Sequence, residues 1–105
     1  MKGVLFMLNP KQRAYLRSLA HPLKACFQIG NDGLSENLRT DVLNYLNKHE
    51  LIKISILNNS FVTAGEVVEF FDEVGIEFVQ FIGRVLVFYK HSDNIDNPIV
   101  LPIKK

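Results

Sequence analysis

The chain has 105 residues, 48% of them apolar, with 12 basic and 11 acidic side chains and a net charge of +1. That is one domain's length with enough apolar residues for a single core, and the total charge alone marks neither a polyanion binder nor an acidic protein. A single cysteine excludes an internal disulfide, and no apolar run approaches the ~20 residues of a membrane span.

The opening MKGVLFML is too short an apolar stretch for a secretory signal, so the expected compartment is the cytoplasm, with Met7 as a second candidate start. Asn9-Pro10 reads as an N-cap followed by proline in the first turn, which opens a helix over 10–20 with Leu16, Leu19 and Ala20 as its buried stripe. His21-Pro22 ends it. ACFQI, 25–29, reads as a short strand, and Cys26 within it as a packed thiol kept reduced. Gly30 and Gly33 follow, then Ser35 as the cap of a helix to 49, with Leu38, Val42, Tyr45, Leu46 and His49 at helical spacing.

LIKISIL, 51–57, alternates Ile52, Ile54 and Ile56 against Lys53 and Ser55, the mark of a half-buried strand. After the loop Asn58-Asn59-Ser60, Thr63-Ala64-Gly65-Glu66 matches a capping box for a helix reaching Gly75 that buries Val67, Phe70, Phe71 and Val74. Glu66, Glu69, Asp72 and Glu73 give that helix an acidic surface. The next two strands form a hairpin about Gly83-Arg84, with Ile82 opposite Val85, Phe81 opposite Leu86, Gln80 opposite Val87, Val79 opposite Phe88, Phe78 opposite Tyr89 and Glu77 opposite Lys90. An extended tail over 92–105 lies on a core of about 8–91.

The order α-β-α-β-α-β-β predicts a two-layer α/β (α+β) domain: a small mixed four-stranded sheet, right-handed crossovers, and the two crossover helices on one face. The other face would carry Gln28, Lys53, Ser55, Gln80 and Tyr89, partly covered by the first helix.

Charge is sorted along the chain. Residues 1–53 hold eight basic and four acidic side chains (+4), residues 54–83 hold none and five (−5), and residues 84–105 hold four and two (+2). A strand that ends at Gly30 and re-enters a helix at Ser35 leaves the first helical amides pointing outward, where glycines allow close approach and the helix dipole favours an anion such as phosphate. A turn that merely needs Gly30 at positive φ is the plainer explanation of the same glycines. Lys11, Arg13, Arg17, Lys24 and Arg84 supply separate cations of the kind that hold several phosphates of one backbone. Of the hairpin aromatics, Phe78, Phe81 and Phe88 read as core, and Tyr89 is the best candidate for stacking on a base. His21, His49 and His91 share no metal-ligand spacing and no nucleophile stands with a base, so neither a metal, a cofactor nor an enzymatic activity is expected.

NPKQRAYLRSLAHPLKACFQIGNDGLSENL, then HELIKISI, then VQFIGRVLVFYK resemble the CRM domain, the chloroplast RNA splicing and ribosome maturation module, in its stand-alone bacterial YhbY-like form, over roughly residues 8 to 103. The resemblance implies a fold similar to the C-terminal domain of translation initiation factor 3 and RNA as the partner, in particular precursors of the large ribosomal subunit. It carries the family's GxxG loop onto Gly30-Asn31-Asp32-Gly33, its basic positions onto Lys11, Arg13, Arg17 and Lys24, and its last strand motif onto Tyr89-Lys90. The middle of the loop is often basic in the family, and Asn31-Asp32 departs from that. The expectation is a monomeric, non-enzymatic assembly factor with no small-molecule substrate; a protein-interaction module using the polar sheet face or the acidic helix is the alternative from another class.

Overall fold

The computed structural model describes residues 8–96 and 98–101; Met7 and the last four tail positions lie outside them. Three helices and four strands follow in the expected order: α1 (Pro10–Ala20), β1 (Phe27–Ile29), α2 (Glu36–His49), β2 (Leu51–Ile56), α3 (Ala64–Asp72), β3 (Glu77–Ile82) and β4 (Val85–Tyr89). All three helices start at the expected caps. The Asn9, Ser35 and Thr63 side chains accept the amides of Gln12, Leu38 and Glu66, and at α1 and α3 the Gln12 and Glu66 side chains return the bond to complete a capping box.

The sheet is mixed, in the order β1-β2-β4-β3, with β1 parallel to β2 and the other two pairings antiparallel. Its two faces have different cores. On one, α2 and α3 pack over Ile29, Ile52, Ile54, Ile56, Leu86 and Phe88, with Val42, Leu46, Val67 and Phe71 from the helices. Arg39 ties the two helices together, reaching Glu36 and Glu73 at 2.6 and 3.0 Å with its guanidinium 4.3 Å from the Phe70 ring centre. On the other face α1 buries Leu16 and Ala20 against Leu51, Val79, Val87 and Tyr89. Segment 98–101 closes this second core through Ile99 and Leu101.

Four expectations change. The first strand begins at Phe27, and Cys26 before it is exposed, its sulfur 3.8 Å from the Lys53 carbonyl, so it is not a packed thiol. α3 ends at Asp72, and Gly75 follows one turn later at φ 82°. His49 is exposed and stacks on Tyr45 at 4.2 Å instead of entering the core. The hairpin keeps the expected register from Ile82↔Val85 to Gln80↔Val87, then shifts by a bulge so that Phe78 faces Phe88 and Glu77 faces Tyr89. Packing explains the shift. The extra residue puts Val79 under α1 with Val87 and sets the Phe78 ring 6.2 Å from Phe88 in the other core.

Candidate nucleic-acid interface

The GxxG segment sits where β1 ends. The Gly33 amide donates to the Gly30 carbonyl at 3.1 Å, so 30–33 is a closed turn with Asn31 and Asp32 exposed at its tip. Positive φ falls on Gly33, at 70°, and not on Gly30. The explanation by backbone necessity therefore applies to the second glycine alone. A methyl group on Gly30 would have ordinary room, 3.7 Å from Asn59 Oδ1 and from Leu57 Cδ1. Ser35 Oγ accepts the Leu38 amide, so one of the first α2 amides is already satisfied.

Arg84 belongs to the same end of the molecule. Its Nε and Nη2 donate to the carbonyls of Ile56 and Leu57 at 2.9 and 3.1 Å, which lays the guanidinium across the end of β2 next to the loop that borders Gly30. It is an exposed cation held in one place, not a side chain projecting freely from its turn.

Lys11, Arg17 and Lys24 are exposed, on α1 and on the segment joining it to β1, and their side chains have no hydrogen-bond or ion-pair partner among the described residues. The segment is fastened by Lys53, whose Nζ donates to the carbonyls of Leu23 and His21 at 2.8 and 3.4 Å, at the negative end of α1. Five residues separate Lys24 from Gly30, a span of up to about 20 Å at strand spacing. The cations are therefore not gathered around the turn: Lys11 and Arg17 lie on α1, Lys24 precedes β1, and Arg84 alone is at the sheet end where β1 reaches the GxxG turn. α3, with Glu66, Glu69, Asp72 and Glu73, packs on the opposite face of the sheet.

Three expected contacts fall elsewhere. Arg13 is half-buried and donates to the Phe78 carbonyl at 3.4 Å, its Nε enclosed without a partner, and it faces Glu77, whose carboxyl is raised above the ordinary range chiefly by burial. Tyr89 is 4% exposed beneath α1, and burial first, then Glu50 and Glu77, pushes its phenol up to about 12. It cannot stack on a base from there. Lys90 follows it at the end of the sheet opposite the GxxG turn, its amide bound to the Glu50 carbonyl.

Two exposed aromatics stand at the loop end. Phe61 is 93% exposed in the polar loop after β2; an aromatic among Asn58, Asn59, Ser60 and Thr63 is the signal that marks it. Phe81, expected in the core, is 43% exposed.

Residues 8–90 match the CRS1 / YhbY (CRM) domain. The Bacillus subtilis protein YqeI, named a probable RNA-binding protein, is 38% identical over 82% of this chain and 91% of its own length. An RNA-binding protein of Haemophilus influenzae is 35% identical over 92% and 97%. The solution structure of a hypothetical Staphylococcus aureus protein, described as a candidate RNA binder, superposes with a TM-score of 0.75 at 41% identity, over 91% of this chain and all of that one.

Proposed function

The chain belongs to the CRS1 / YhbY (CRM) domain family, and from that premise we propose that it is a non-enzymatic RNA-binding protein of the cytoplasm, acting as a monomer on precursors of the large ribosomal subunit. It would hold folded ribosomal RNA by its phosphates and shape, not by a base code. The observation that carries the binding mode is the separation of charge across the sheet: Lys11 and Arg17 on α1 and Lys24 just after it are exposed and have no ion-pair partner among the described residues, while the acidic helix lies on the other face. The proposed contacts are Lys11, Arg17, Lys24, Gly30, Asn31, Gly33 and Arg84. Tyr89 and Arg13 serve the core, and Lys90 lies at the other end of the sheet.

Salt titration tests this. Affinity for precursor large-subunit RNA should fall linearly on log–log axes, and Lys11→Ala, Arg17→Ala and Lys24→Ala should each flatten the slope by about 0.7 to 1. A slope near zero, or one that the three substitutions leave untouched, returns the chain to the class of protein-interaction modules. Sedimentation of a lysate tests the biological assignment: the protein should travel with immature large subunits.

A further inference from the structure

Phosphate binding leaves part of the loop end unused. Phe61 is 93% exposed and Phe81 43%; Phe81 lines a shallow cleft together with Ile56, Val62, Thr63, Ala64 and Arg84, and Phe61 is the residue next to Val62 in the chain. The cleft measures about 170 Å³ and no carboxylate lines it. The fold does not require a ring at position 61. Val62 packs on the core and Thr63 caps α3, whereas the Phe61 side chain stands in solvent.

The neighbouring groups indicate what such a surface takes. The Arg84 guanidinium is fixed by two main-chain carbonyls, so it offers a flat, preorganised cationic plate. Leu57, which supplies one of those carbonyls, also borders Gly30, and Val62 borders Gly33, each with a side-chain carbon 3.7 Å from where a Cβ would stand. Exposed rings, a flat cation and an apolar floor within one loop of a turn open to phosphate match a planar, π-faced group attached to a phosphate backbone. A protein partner would instead call for a broad apolar patch depleted in charge.

We infer that Phe61, Phe81 and Arg84 form a seat for an unpaired nucleobase of the RNA whose backbone passes the 30–33 turn. The inference rests on the RNA-binding reading and sharpens it: the ligand is RNA with unpaired nucleotides at the contact, because bases in a continuous duplex are already stacked and paired.

The test uses the full chain and two RNAs of equal length, a hairpin with an unpaired internal loop and its fully paired counterpart, compared by fluorescence anisotropy. Wild type should prefer the looped RNA. Phe61→Ala should weaken that complex by roughly tenfold, leave the paired RNA unaffected and keep the salt slope, since no phosphate contact is lost. Phe61→Trp should retain affinity, and Phe61→Leu should behave like alanine, because stacking needs a ring. Circular dichroism should show all three folded, as expected for an exposed side chain. The inference is overturned if Phe61→Ala binds the looped RNA as wild type does, if leucine replaces the ring as well as tryptophan, or if the paired RNA suffers equally. In the first case the apolar surface passes to a protein contact while RNA binding stands. Failure of wild type to bind either RNA removes both readings.

Discussion

At one end of the sheet, where β1, β2 and β3 finish, the chain turns through glycines, leaves Phe61 and Ile82 in solvent and spends hydrogen bonds on holding Arg84 at the surface. At the other end Glu50 is fully buried at φ 65°, and its two carboxylate oxygens accept the amides of Ser92 and Ile99 at 2.8 and 2.6 Å, with His91 at 3.1 Å. Tyr89 lies sealed between that clamp and α1. The same four strands thus support an end organised for stability and an end kept open. The difference teaches where substitutions should separate folding from binding: the tail end carries stability, and the loop end can change its surface at little cost to the fold.

The largest effect should come from breaking the clamp. Glu50→Ala removes the acceptor of two buried or half-buried amides, each left unsatisfied at a cost of about 1 to 3 kcal/mol, so urea unfolding should report a loss of about 3 kcal/mol or more. Hydrogen exchange should show the Ser92 and Ile99 amides unprotected. RNA affinity, measured well below the melting temperature, should stay within a factor of two or so, because the loop end is at the far side of the sheet. A variant that unfolds normally would show that segment 92–101 adheres without the clamp.

Next in size is a pH effect at the same end. Burial pushes the Tyr89 phenol up to about 12 in the folded chain from its ordinary 10.0, so the folded state holds its proton more tightly than the unfolded one. The stability this contributes is complete below pH 10 and is lost as pH rises from 10 to about 12, by up to about 2 kcal/mol. Tyr89→Phe abolishes it. The difference in denaturation midpoint between wild type and variant, measured at pH 9 and pH 11.5, should therefore shift in the variant's favour at the higher pH. An unchanged difference would mean the phenol is solvated. Taking the difference also cancels Tyr45, whose phenol burial likewise raises.

These two ends were not equally legible in the sequence. Element order and all three N-caps were readable because each is a local bargain between one polar side chain and an amide three residues on. The bulge at Val79 was not, since it follows from two cores on opposite faces competing for adjacent residues of β3. Tyr89 and Phe81 also departed from expectation, on different faces: α1 reaches over Tyr89 and buries it, whereas Phe81 pairs with Leu86 on the α2 and α3 face, at the loop end of β3, and is 43% exposed. Alternation says which face a residue points to, but not how far along that face a helix covers it. Glu50 carried no signal at all, because its partners lie over forty residues away in the returning tail. At the candidate site the GxxG turn and the exposed cations of α1 were readable as residues, whereas their separation by β1 depended on where that strand begins and ends.

The smallest stability effect makes the sharpest separation, within the GxxG turn itself. Gly33 sits at φ 70°, where a Cβ is strained, so Gly33→Ala should cost about 1 kcal/mol and weaken RNA binding partly through a distorted turn. Gly30 has an ordinary backbone, and an added Cβ would make only ordinary van der Waals contacts with Asn59 and Leu57, so Gly30→Ala should unfold within about 0.5 kcal/mol of wild type. If the turn admits a phosphate against its main chain, the added methyl group occupies the space that approach needs, and Gly30→Ala should lose affinity severalfold while melting normally. Should it bind RNA as wild type does, the backbone at 30–33 is a turn and nothing more, and the contacts reduce to the exposed cations and the aromatic rings.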